Sequence, residues 1–141
     1  MPKLALIAVV GETDNGILLN NGQYIRQGTL PFFKYHNIDD VSVHEYITAS
    51  ERLRLVPTER AMDLLIIACT MYSADTRIER ETYAEDSWTR MIDLFIPVSD
   101  PGFWDSQKEL LKKIFRFLTG DIWDLNFRAR SNPALLLALV N

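Results

Sequence analysis

Residues 92–128 read IDLFIPVSDPGFWDSQKELLKKIFRFLTGDIWDLNFR, and the way this stretch divides decides the fold. Ile92, Leu94, Ile96 and Val98 alternate with Asp93, Phe95 and Pro97 at the period of a strand, whose exposed end Pro97 is expected to mark. Asp100-Pro101 then starts a helix. An aspartate side chain accepts bonds from free backbone N–H groups, and proline fits the first helical position, where the N–H it lacks would have no partner. Leu110, Leu111, Ile114, Phe117 and Leu118 fall at the spacing of one helical stripe, predicted to be buried. Gly120 supplies a left-handed stop. Beyond it Trp123, Leu125 and Phe127 alternate with Asp124, Asn126 and Arg128, the period-2 pattern of a half-buried strand.

Upstream, Thr58 follows Pro57 and can cap a helix whose interior, Ala61 to Tyr72, is apolar on nearly every face, as expected of a central element. Asp63 is the odd residue there, and burying its carboxylate would demand an arginine or backbone donors. Leu4 to Val10 is apolar without alternation, as in a strand covered on both faces, and Gly11 with Asp14-Asn15-Gly16 ends it. Ile17-Leu18-Leu19 and Gln23-Tyr24-Ile25 flank Asn20-Asn21-Gly22, which predicts a hairpin. From Thr29 to Val56 the signals conflict: Asp39, Asp40 and Ser42-x-x-Glu45 suggest a helix start, while Val41, Val43, Tyr46 and Ile47 favour a strand. The sum is a single α+β domain over residues 1–130, a small, mostly antiparallel sheet packed against a central apolar helix and a second, amphipathic one. Ser131-Asn132-Pro133 reads as a linker, and Ala134 to Val140 as either a last strand or a sticky end for self-association.

The 141 residues are 48% apolar and 24% charged, enough to bury a core. A net charge of -4 without a Lys/Arg block argues against nucleic acid as a partner. The one cysteine, Cys69, excludes an internal disulfide and a four-cysteine zinc site within the chain, and its apolar neighbours favour a buried structural thiol over a nucleophile. The apolar runs Leu4 to Val10 and Ala134 to Val140 are far short of the roughly 20 residues that span a bilayer, so no membrane association and a cytoplasmic location are expected.

Catalytic patterns are scarce. The six glycines, at 11, 16, 22, 28, 102 and 120, form no clustered turn able to surround a phosphate. His36, Asp39, Asp40, His44 and Glu45 are the one concentrated group of metal or acid/base residues, with a spacing that fits no tight ligand set. Lys112, Lys113 and Arg116 read as a solvated helix face. Asp75, Arg77, Glu79, Arg80, Glu81, Glu85 and Asp86 read as a mostly exposed charged loop, in which an arginine can stack on Trp88. Trp88, Trp104 and Trp123 read as core anchors.

The succession Asp63-Leu64-Leu65, Ala74-Asp75-x-Arg77, Trp88-Thr89-Arg90, Ile96-Pro97-Val98-x-Asp100, Trp104, Phe117-Leu118-Thr119-Gly120-Asp121-x-Trp123 and Phe127-Arg128 resembles the amino-terminal domain of QueC-like proteins. These 7-cyano-7-deazaguanine synthase-like proteins belong to bacterial anti-phage defence systems, where that domain precedes an ATP-using PP-loop domain. The resemblance covers roughly residues 58–130, and Phe-Leu-Thr-Gly-Asp-x-Trp is its most specific element. It singles out Asp63, Asp75, Arg77, Trp88, Arg90, Trp104, Asp121, Trp123 and Arg128 as family-motif or interface positions. The PP-loop signature Ser-Gly-Gly-x-Asp-Ser and the clustered zinc cysteines of the true synthases are absent from the sequence. The resemblance therefore implies a non-catalytic accessory or recognition domain with no cofactor of its own, either a fragment or frameshifted product or one half of a split protein whose PP-loop partner carries the chemistry. An independent adaptor or inhibitor and a metal-dependent enzyme using His36, Asp39, Asp40 and His44 are the competing expectations.

Overall fold

Pairing of the apolar runs produces a four-stranded sheet in the order β2-β1-β3-β4, with β1 at Lys3–Val10, β2 at Arg26–Phe32, β3 at Met91–Val98 and β4 at Ile122–Ala129. The computed structural model describes residues 3–20, 22–33, 43–80 and 89–131, with the side chains of 43–47 left aside. Every strand pair is parallel, so the expected antiparallel sheet is corrected within an otherwise α+β domain. Parallel neighbours need crossovers, and three helices supply most of them: α1 at Val43–Arg52, α2 at Glu59–Arg77 and α3 at Pro101–Thr119. Residues 43–52 are thus helical where the sequence signals conflicted.

The caps act where the sequence places them. Thr58 accepts from the Ala61 N–H to start α2, and Asp100 accepts from the Phe103 N–H ahead of Pro101 to start α3. Gly120, at φ 79°, ends α3 with its N–H donating to the Arg116 carbonyl.

Right-handed crossovers that run in one direction along a sheet lay their helices on one face, and a crossover in the opposite direction lies on the other. β2 to β3 and β3 to β4 run one way, and α2 and α3 share a single core with Leu4, Ala8, Ile92, Leu94, Ile96, Trp123 and Leu125. β1 to β2 runs the other way, so the connection crosses the opposite face, and its described residues, 11–20 and 22–25, form no helix. The Cα of Gly16 lies so close to that face that a Cβ there would stand 3.2 Å from Val9 Cγ1. Tyr24 meets the Phe95 ring edge-on and donates to Asp93 Oδ2 at 2.7 Å. The expected hairpin is therefore an irregular crossover. Its turn survives, with the Gln23 N–H donating to the Asn20 carbonyl, but Ile17 to Leu19 form no strand and β2 begins only at Arg26.

Two burial expectations also change. In α3 the buried residues are Trp104, Leu111 and Phe115, whereas Leu110, Ile114, Phe117 and Leu118 are exposed. α2 buries one side against β3 and β1, and Leu64 and Tyr72 face solvent. Among the described residues no helix is long and apolar enough to cross a membrane.

Candidate functional site

The ends of the sheet carry the charged residues that the sequence brings to notice. In open parallel sheets ligands bind beyond the carboxyl ends of the strands, at the point where successive crossovers reverse direction. Here that point lies between β1 and β3.

The two strands part before they end. Their pairing stops at Ile7↔Phe95, although β1 pairs with β2 as far as Val10↔Phe32 and β3 with β4 as far as Val98↔Ala129. Pro97 accounts for the fork, because a residue without an N–H cannot continue the β1–β3 ladder. It lies buried inside a central strand, not at the exposed end expected of it. The Ala8 carbonyl that faces the fork accepts instead from Arg128 Nη2, at 2.8 Å. The same nitrogen donates to both oxygens of Asp14, at 3.1 and 2.9 Å.

Asp14 also accepts from the N–H groups of Val10 and Gly16, each at 2.9 Å. Backbone donors converging at the end of a strand, with an arginine beside them, are the elements of an anion site. In this protein the anion is the chain's own carboxylate. Nη1 of Arg128 is buried without a hydrogen-bond partner among the described residues.

On the helical face of the same edge, Asp63 is wholly buried and answers the demand that its position raised. It accepts from the Ser99 N–H at 3.0 Å and from Trp104 Nε1 at 2.9 Å. Arg130, almost fully buried, pairs with Asp63 and with Glu59. Asp63 is thus a fastening between α2, the end of β3 and α3. Arg130 was not singled out beforehand; the signal for it was the unmatched Asp63 carboxylate.

At the amino edge, Asp121 is 0% exposed and accepts from the backbone N–H, Nε and Nη2 of Arg90 and from both terminal nitrogens of Arg80. Arg90 continues to the carbonyls of Asp75 and Ile78 and to the Asp75 carboxylate at 2.8 Å. Burial would raise the Asp121 carboxyl pKa, but the bonds from Arg90 and Arg80 outweigh burial and hold it below its ordinary value. Within the charged stretch read as mostly exposed, Arg77 and Glu79 are exposed, whereas Asp75 and Arg80 are half-buried partners of the buried Arg90–Asp121 pair. Trp123 is 2% exposed and donates to Thr119 Oγ1 at 2.8 Å, so Phe-Leu-Thr-Gly-Asp-x-Trp folds as a unit that ends α3 and starts β4.

Arg77 is exposed at the end of α2. With Arg26, Glu79, Ile78 and the first residues of β1 and β2 it lines a cavity of ≈ 440 Å³ at the amino edge. Cys69 is half-buried and packs against the core. Burial and the Asp93 carboxylate push the Tyr24 phenol pKa upward, so it stays protonated as a donor. Lys112 is paired with Glu109 and Asp124, which fits the solvated face read for it.

Trp88, His36, Asp39, Asp40 and the segment Ala134 to Val140 lie outside the described residues, as do the side chains of His44 and Glu45. Among the described residues no group of three or more His, Cys, Asp or Glu could hold a metal ion. No family model, curated protein or solved structure matches the chain.

Proposed function

We propose that this chain is a non-catalytic accessory or recognition domain of a QueC-like anti-phage defence protein, acting in the cytoplasm with a PP-loop, ATP-using subunit or half that supplies the chemistry. The observation that carries this reading is the filled carboxyl edge. The backbone N–H groups of Val10 and Gly16 and the Arg128 guanidinium, which could bind a phosphate, are engaged by Asp14. The motif positions Asp63, Asp75, Arg90, Trp104, Asp121, Trp123 and Arg128 act together as a scaffold, which suits a domain that presents a surface to a partner.

Isothermal titration tests the first half of the reading. ATP should give no binding heat with the chain alone, and micromolar binding would overturn it. The second half predicts a Ser-Gly-Gly-x-Asp-Ser coding stretch in the DNA next to this chain's reading frame, and ATP turnover only when the two products are mixed. Clean absence of that stretch favours an independent adaptor, a reading that the exposed apolar residues of α3 also suit.

A further inference from the structure

Asp14 fills the fork between β1 and β3 without matching it. Both of its oxygens lie on one nitrogen of Arg128, Nη2, at 3.1 and 2.9 Å, while Nη1 of the same guanidinium is buried with no hydrogen-bond partner among the described residues. An arginine that holds a carboxylate well does so with two nitrogens, one to each oxygen. Here the backbone sets the position of the carboxylate instead, Oδ2 accepting from the Val10 N–H and Oδ1 from the Gly16 N–H. Held by those donors, the two oxygens reach Nη2 and leave Nη1 unserved. A tetrahedral oxyanion in the same place has four oxygens to distribute.

The place has the features of a phosphate site. It lies beyond the carboxyl ends of the strands, where successive crossovers reverse. Pro97 keeps the β1–β3 ladder from closing over it. Gly16, at φ 77°, brings its N–H there in a conformation that strains a side chain, and a Cβ would also stand 3.2 Å from Val9 Cγ1. The turn that carries Asp14 is a surface turn. Glu12, Thr13 and Asn15 are exposed, so the Asp14 side chain can swing towards water without uncovering the core.

From this mismatch we infer that the fork is a binding site for a tetrahedral oxyanion of the phosphate class, and that Asp14 is its built-in competitor. The oxyanion takes the place of the Asp14 carboxylate, accepts from the N–H groups of Val10 and Gly16, and spans Nη1 and Nη2 of Arg128. Asp14 thereby sets a threshold, because the apparent affinity is the intrinsic one reduced to the fraction of molecules in which the carboxylate has left. The inference rests on the filled edge that the accessory reading uses, and adds what that edge takes when Asp14 leaves it.

Titration of the full chain with inorganic phosphate, at constant ionic strength, tests it. Asp14→Ala should bind phosphate about tenfold or more tightly than the unaltered chain, and adding Arg128→Gln should remove the gain. Asp14→Asn keeps an acceptor for the turn and drops the charge; it should gain in the same direction, and it carries the test if Asp14→Ala does not fold. In Asp14→Asn the amide resonances of Val10 and Gly16 should move as phosphate is added, which a change in stability alone does not produce. A matching gain for glycerol phosphate identifies the ligand as a phosphate monoester, and a gain for inorganic phosphate alone identifies it as the free ion. Equal affinities in the unaltered chain and the variants, a gain that survives Arg128→Gln, or resonances that move only elsewhere would each overturn the inference. Those failures leave the accessory reading standing, which falls instead on micromolar ATP binding by the unaltered chain.

Discussion

At the amino edge of the sheet one carboxylate, Asp121, is closed in by two arginines, whereas at the carboxyl edge Asp14 sits in a fork between strands and faces Arg128, whose Nη1 has no hydrogen-bond partner among the described residues. Both arrangements join an aspartate to backbone N–H groups and guanidinium, yet they do different work. Asp121 takes the N–H just before β3 and so fixes where β3 and β4 begin beside each other. Asp14 takes the N–H of the last residue of β1 and fills a space that Pro97 opens. The comparison teaches that one ion-pair chemistry can brace a fold at one end and occupy a ligand position at the other. What distinguishes them is whether the surrounding ladder is complete.

The largest effect should come from the amino edge. Asp121→Ala leaves the buried Arg90 and the neighbouring Arg80 without their shared carboxylate and should cost about 3–5 kcal/mol in urea unfolding. Trp123→Ala, close by, should cost about the same through the void it leaves in the core. Asp14→Ala should cost less, about 1–3 kcal/mol, because the groups it releases lie nearer solvent. Equal losses for Asp14→Ala and Asp121→Ala would break the contrast between the two ends.

Acid sharpens the same contrast. The Asp121 carboxyl titrates below its ordinary 3.8, so its stabilisation is fully present above that pH and is lost as pH falls through the lower folded value. Asp121→Asn should therefore weaken the dependence of stability on pH below about 4, where carboxylates protonate, and an unchanged acid limb would count against the network. Smallest of all, Lys112→Ala removes exposed pairs with Glu109 and Asp124 and should change stability by less than about 1 kcal/mol.

Local signals were legible because local geometry settles them. Thr58, Asp100-Pro101 and Gly120 act as caps through bonds spanning three or four residues, and they bound their helices as their residue types imply. Asp63 could be flagged because a carboxylate in an apolar helix needs a partner, although Arg130 lies too far along the chain for spacing to name it. Strand direction was harder. The unbroken apolar run of β1 is a mark of a strand covered on both faces, common in parallel sheets, but the asparagine-glycine turn at 20–22 argued for a hairpin that the crossover replaces. β2 escaped notice because an edge strand with most of its early residues exposed carries no apolar rhythm. The α3 stripe held only in part: its spacing describes an apolar flank, but of its residues only Leu111 packs on the sheet, together with Trp104 and Phe115, while Leu110, Ile114, Phe117 and Leu118 are exposed. The ion networks at both edges join residues up to 114 positions apart, beyond any local pattern.

The strand order also bears on how the chain is assembled during synthesis. β1 is made first, yet its hydrogen-bonding neighbours begin at Arg26 and Met91, so one edge of an almost wholly apolar strand waits until most of the chain has been translated. β3, α3 and β4, by contrast, are contiguous and can form a local unit that offers β3 as a template. Insertion of β1 between β2 and that template is the long-range step. Until it is complete, the nascent chain displays an unpaired strand, and with it the greatest opportunity for misassociation on the ribosome.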